Sequence, residues 1–478
     1  MARVPGRARR GPHQGSVVRA FGAGAVLFAL GGCRQVLGRG GYSEGTLGSA
    51  GSAGSAGSGT CDTCAPTECV PFDSSRLTLL GPDGTRPALP QATGSGGDTS
   101  TVAASPGAAG QPEGDSCSSL VNPVFVAGSS AAKPFLQRFG ENLTATDEMT
   151  LVYQSAGSCV GVDAIVNNTR LGGTATYWAG PGDERTCNLD AAGSAVDLGI
   201  SDVFAATCPQ FSLVSDLPAD VTDDPGPVQT MGFVVPASSA ETAISADAAY
   251  FVYGFGNGSG VEPWTDESDI LQRTSVSGTQ SLIASVIGVP PAKFHGVMNG
   301  SSTDLLAQLV SLGRTDETAA KAIGILVAGD ADNNRSQVRL LPFQEPGASC
   351  GYYPDSSPTS LDKQNVRDGH YPIWGPLHFL TRNPSALTQR LISYLTGTLT
   401  IHGLDLIQVY VQSRVLPRCA MRVTRSTDGG HLTPYQPANP CGCYFEQQAT
   451  GATRCKACST SAECPDSAPQ CSLGFCEQ

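Results

Sequence analysis

From about residue 120 to 430, apolar runs of strand length alternate with small polar residues and then with amphipathic segments. "NPVFVAGSS" (122–130) leads into "AAKPFLQRFGENL" (131–143), where Phe135, Leu136 and Phe139 recur at helical spacing and share one face. "MTLVYQSAGS" (149–158) leads into "CVGVDAIVNN" (159–168), and "DILQRTSVSGT" (269–279) into "QSLIASVIGV" (280–289). "AVDLGISD" (195–202) is a further strand ending on small and acidic residues. A strand that passes through Ser, Gly, Asp or Thr into a helix is the punctuation of an α/β sheet, so the pattern predicts that fold class.

The two ends of the chain break this pattern. Arginines precede the apolar stretch "AFGAGAVLFAL" (20–30), which is too short to span a bilayer as a helix, and small residues follow up to Cys33. Residues 1–32 therefore read as a lipoprotein signal peptide, with Cys33 as the lipidation site and first mature residue. The chain is expected in the cell envelope, lipid-anchored to the inner or outer membrane without a transmembrane helix. "GTLGSAGSAGSAGSGT" (45–60) is a flexible tether and a second low-complexity region covers roughly 83–116, so residues 33–119 read as a stalk with a small cysteine cluster, "CDTCAPTEC".

There are 17 cysteines, and removing Cys33 leaves an even number, as disulfides in an oxidising compartment require. Eight fall between Cys419 and Cys476, where apolar residues are too few for a core. Residues 431–478 therefore read as a disulfide-stapled module. Zinc is the competing reading of "CKAC" (455–458), but residues 441–478 hold no histidine and no second C-x-x-C. Neither a metal nor a cofactor is expected.

With 15% charged residues and a net charge of −13, the chain excludes nucleic acid and anionic membrane surfaces as electrostatic partners. Any anion site must work through local donors. The strand-to-helix junctions supply them, because helix N-termini beyond the carboxyl ends of strands present unpaired N–H groups. The candidates are Ser130, Ser158, Asp202, Arg273, Ser277, Gly278 and Thr279. At any one junction a Ser or Thr can be a plain N-cap, and Asp202 can be one too. Enzymatic motifs are missing: "GSCVG" (157–161) lacks the G-x-S-x-G order, there is no Walker loop or H-E-x-x-H, and the six histidines are scattered. Cys159 is expected to pair with Cys187, Cys208 or another cysteine rather than act as a nucleophile.

Over residues 122–425 the ordered motifs resemble those of the phosphate-binding protein of bacterial phosphate ABC transporters. "VAGSSAAKPF" is similar to that family's first strand–helix junction, with Ser130 in the place of its ligand hydroxyl. "VYQSAGSCVGVDAIVNN" is similar to the second, with Ser158 on the ligand serine, and in "VDLGISD" Asp202 sits where the family has its phosphate-contacting aspartate. "RTSVSGT" matches the second lobe's arginine and Ser-Gly-Thr, and "AIGILVAGD" (322–330) and "GHYPIWGPLHFLT" (369–381) resemble later segments. The chain departs from the family pattern at Ala131, Ser275 and Val276.

The resemblance implies a two-lobed periplasmic-binding-protein-like (type II) fold with a ligand cleft between lobes. The first lobe would be 120–229 plus 372–430, and the second 230–371. It implies a monomeric, non-enzymatic solute-binding protein that takes inorganic phosphate or a related oxyanion and delivers it to an ABC permease. The long stalk and the cysteine-rich tail favour an alternative, a surface adhesion or scaffold lipoprotein with the same fold and lost or altered anion binding.

Overall fold

The structure, a computed structural model, describes residues 69–81, 83–90, 115–211 and 217–478. Cys33, Cys61 and Cys64, with the signal segment and the tether, lie outside the described residues. Among the described residues no helix is long and apolar enough to cross a membrane.

A nine-stranded mixed sheet organises the α/β part. β2 (Pro123–Gly128) pairs in parallel with β3 (Thr150–Ser155) and with β6 (Leu198–Ser201). β4 (Thr174–Gly180) and β5 (Asp183–Asn188) extend the β3 edge as an antiparallel hairpin. On the other side β15 (Trp374–Arg382) runs antiparallel to β6 and to the long β7 (Val221–Pro236). β7 pairs with β15 as far as Thr230, and from Met231 onward with β11 (Gly324–Val327) and β12 (Val338–Leu340). One strand thus serves two lobes. In the second lobe β9 (Leu271–Arg273) pairs in parallel with β10 (Val297–Asn299).

The helices follow from the junctions. α1 (Lys133–Thr146) buries Phe135, Leu136, Phe139 and Leu143, each at most 1% exposed, as their spacing predicts. Each such side chain contributes roughly 1.5–3 kcal/mol relative to exposure. α2 (Ser158–Val166) packs on β2 and β6. In the second lobe, α3 (Ala246–Phe255) packs against α4 (Gly278–Ile287), and α5 (Ser302–Leu312) packs on β9 and β11. Gly128, at φ +139°, shows how closely β2 approaches β6: a Cβ there would lie 1.9 Å from the Ile200 carbonyl oxygen. That junction therefore turns without a side chain, and the Ser129 amide bonds the same carbonyl at 2.9 Å.

The stalk expected over 33–119 is corrected at two places. Residues 69–81 and 83–90 are packed on the second lobe, where β1 (Cys69–Val70) joins a small sheet in the order β1, β14 (Gly351–Tyr352), β13 (Phe343–Gln344) and β8 (Ile244–Ser245). Cys69 is disulfide-bonded to Cys350. Arg76 reaches Glu241 at 2.7 Å and lies over the rings of Phe72 and Trp264. Arg86 reaches Asp247 at 2.6 Å and lies over Tyr250. These cations cover aromatic surface while keeping an acid within reach, a stabilisation that a low count of apolar residues conceals. The fold also begins before residue 120, since Cys117 is bonded to Cys187 and Ser116 bridges to Asn188.

The C-terminal module is stapled as its composition predicts, by Cys443–Cys455, Cys458–Cys471 and Cys464–Cys476, with Cys419–Cys441 joining it to the α/β part. The sulfurs of Cys458, Cys464 and Cys476 lie together, but all are in disulfides and offer no thiolate to a metal.

Candidate functional site

The four junctions singled out in the sequence converge where the lobes meet. From the first lobe come the turn after β2, the start of α2 and the end of β6; from the second come the end of β9 and the start of α4. Ser158, Asp202, Arg273, Ser277 and Thr279 are each at most 3% exposed. The lobes touch directly, with the Cys159 amide donating to the Val276 carbonyl at 3.1 Å.

Asp202 is the centre of the arrangement. Ser129 Oγ donates to one of its carboxylate oxygens at 2.6 Å and Ser158 Oγ to the other at 3.1 Å. Burial pushes its carboxyl up to about 6, against the hydroxyls of Ser129 and Ser158 and the field of Arg273, which pull it down. Asp202 does not act as a helix cap; the short turn of helix that follows, Ala205–Thr207, is entered through Phe204. A disulfide from Cys159 to Cys208 ties the first turn of α2 to the loop after Asp202, which resolves the open pairing of Cys159 and removes its thiol.

Arg273 is held at the end of β9 by second-lobe groups. Its Nη1 donates to Ser302 Oγ at 2.6 Å, Nε to the Asn299 carbonyl at 3.3 Å and Nη2 to the Gly300 carbonyl at 3.1 Å. Nη2 also crosses between lobes to Ser130 Oγ at 3.3 Å. Burial draws its guanidinium below the usual arginine range, while Asp202, Asp330 and Asp304 act to keep it charged. Ser277 is the N-cap residue of α4 yet makes no side-chain capping bond, which leaves its hydroxyl outside that role.

Gly278 is where the second lobe comes closest. A Cβ there would fall 2.2 Å from Ser158 Oγ and 2.7 Å from a carboxylate oxygen of Asp202, so no other residue permits this contact. Gly278→Ala is therefore expected to part the lobes and to expose the Cys159 amide. Hydrogen exchange at that amide should speed up by about tenfold or more, the change that follows if its protected state loses roughly 1.4 kcal/mol. Unchanged protection would show that the lobes do not close through this glycine.

Several participants escaped sequence reasoning. Ser129, not Ser130, bonds Asp202 and also caps the turn through the Ala131 amide; a serine doublet gives no sign of which hydroxyl faces inward. Tyr153 holds that turn by donating to the Ser129 carbonyl, and Gln229 on β7 donates to the Ala131 carbonyl at 3.0 Å. Asp330 lies in the first turn of the short helix Ala328–Asn333, and burial pushes its carboxyl up to about 6 while Arg273 opposes the rise. It ends the segment "AIGILVAGD", so the rule applied to the other strand ends finds it.

No family model matches this chain, and no curated protein matches it. Among solved structures it is similar to an ABC-type phosphate transport receptor from Vibrio cholerae, at 13% identity and TM-score 0.41 over 62% of this chain and 100% of that one. It is similar to PstS from Borrelia burgdorferi at 15% identity and TM-score 0.34, over 62% and 98% of the two chains. It is also similar to the regulatory domain of Synechocystis CcmR in complex with 2-PG, at 12% identity and TM-score 0.33, over 59% and 99%.

Proposed function

We propose that this chain is an exported, lipid-anchored solute-binding protein that holds inorganic phosphate between its lobes and passes it to an ABC permease. The observation that carries this reading is the meeting of two helix N-termini, one from each lobe, with Arg273 and Asp202 at the same point. Helix N-termini favour negative charge and the guanidinium adds a charge-assisted fork, so the site holds an anion regardless of the protein's net charge.

Asp202 sets the selectivity. A carboxylate repels an anion unless that anion brings a proton for it to accept. Phosphate near neutral pH carries an O–H and sulfate carries none. In the closed arrangement the Ser129 and Ser158 hydroxyls occupy the carboxylate. When the lobes part, those hydroxyls turn to donate to phosphate oxygens and the phosphate O–H takes their place on Asp202. No step requires bond breaking, and the role is binding rather than catalysis. Cys33 would carry the lipid.

Calorimetry of the purified protein with phosphate and with sulfate is the test. Phosphate is expected to bind and sulfate to be weaker by about 10⁴-fold, the discrimination reached when a site built for a hydroxyl meets an analogue lacking it. Comparable affinity for both ions would remove Asp202 from this role. A scaffold or adhesion lipoprotein with the same fold is the second reading. It is favoured by the way the serines, Asp202 and Arg273 satisfy one another with the lobes shut, and by the disulfide module docked through Cys419–Cys441. Absence of heat with either ion would select it.

A further inference from the structure

Behind the β6 turn that carries Asp202 lies a separate cavity of about 230 Å³, between β15, the start of β7 and the return segment that leads to the disulfide module. Its volume is that of about seven waters or one small organic molecule. Four buried polar atoms of its lining residues have no hydrogen-bond partner among the described residues: Trp374 Nε1, Arg425 Nε, His378 Nε2 and Asp223 Oδ1. Trp374 and His378 are each 2% exposed and Arg425 is 7% exposed. Buried polar groups are costly to leave unpaired, and four around one cavity is far from the usual pattern.

These atoms belong to two pairs of opposite character. The Arg425 guanidinium lies over the Trp374 indole, with Cζ 4.1 Å from the ring centroid, so one pair offers two N–H donors and a positive charge. Burial pulls the Arg425 pKa down to about 10 while the carboxylates of Asp428 and Glu345 act to keep it charged, so at neutral pH it is a cation that Asp428 balances in part. His378 Nδ1 lies 2.7 Å from Asp223 Oδ2, so in the neutral ring Nδ1 carries the proton and Nε2 accepts. The second pair therefore offers two acceptors, Nε2 and Asp223 Oδ1, and a negative charge. Phe204, tilted against His378 with ring centroids 4.3 Å apart, and Tyr435 add aromatic walls.

We propose that this cavity is a second ligand site, distinct from the interlobe site, that takes a small zwitterion of free α-amino-acid type. The carboxylate would accept from Trp374 Nε1 and Arg425 Nε, the ammonium would donate to His378 Nε2 and Asp223 Oδ1, and an apolar side chain would lie against Phe204 and Tyr435. An inorganic anion fits poorly, because it leaves both acceptors unpaired and places a negative charge beside Asp223.

The test is a titration of the full chain in detergent with each standard L-amino acid, followed by saturation-transfer NMR and calorimetry. At least one amino acid with an apolar side chain is expected to bind, and its decarboxylated amine and deaminated acid to bind at least about tenfold more weakly. Trp374→Phe removes one donor and keeps the ring, and is expected to weaken binding about fivefold. Arg425→Gln is expected to weaken it at least about tenfold. Binding is expected to survive saturating phosphate and to survive Arg273→Ala, whatever becomes of phosphate in the same samples. The proposal is overturned if no amino acid binds, if removing either charged group of the ligand changes nothing, if Trp374→Phe binds as the parent does, or if Arg273→Ala abolishes the signal.

Discussion

Asp202→Asn is expected to make the ligand-free protein more stable at pH 7, by about 3 kcal/mol, and by only about 0.5 kcal/mol at pH 4. Burial raises the Asp202 carboxyl from 3.8 to about 6, so the folded protein holds a proton between those values that the unfolded chain has lost. Stability therefore falls as pH rises through that window, and above it the whole cost of a buried carboxylate is in place. A shift of roughly two units at about 1.4 kcal/mol each gives the size of the effect. An amide carries no such cost at any pH. Asp330 and Asp355 are also pushed up to about 6 by burial, so the wild-type pH curve alone mixes several groups. The difference between wild type and variant isolates one. Urea unfolding of both proteins in phosphate-free buffer at pH 7 and pH 4 measures it, and a difference independent of pH would refute the assignment. A residue that weakens the resting fold at the meeting point of two lobes is what a ligand site predicts.

Arg273→Ala is expected to lower phosphate affinity by at least about 100-fold, since losing one partner of a buried charge-assisted contact costs about 3 kcal/mol or more. The guanidinium joins the two lobes, reaching Ser302, Asn299 and Gly300 on one side and Ser130 on the other. Removing it also leaves Asp202 and Asp330 without the cation that opposes their rise, so both should titrate at higher pH in the variant. Arg273→Lys keeps the charge but not the fork, and should recover only part of the affinity. Calorimetry with phosphate reads the binding effect, and thermal unfolding of the same samples checks the fold. Full affinity in the alanine variant, with an intact melting transition, would take the arginine out of the site.

Both predictions depend on residues far apart in the sequence. Ser158 and Asp202 lie on the first lobe, Arg273 and Gly278 on the second, yet each was visible as the small or charged residue at the end of an apolar run. Which hydroxyl of Ser129–Ser130 faces Asp202 was not visible, because it depends on the turn that Gly128 allows against Ile200. The packing of residues 69–81 and 83–90 was equally hidden, since it rests on cation–aromatic contacts and a disulfide to a cysteine far along the chain rather than on a local apolar pattern.

The α/β alternation, the helical face of α1, the strand-end positions of the candidate site and the disulfide character of the tail are all legible along the chain. Periodicity, turn chemistry and cysteine number are local properties, and local rules read them. The tertiary structure alone decided that β7 serves both lobes, that Asp202 is buried deeply enough to be pushed toward neutral pH, and that Cys159 pairs with Cys208. It alone brought Trp374 and His378 on β15, Asp223 on β7 and Arg425 on the return segment around one cavity. Burial, field and pairing are sums over neighbours that the chain supplies only after it has folded, and for that reason they leave no pattern along it.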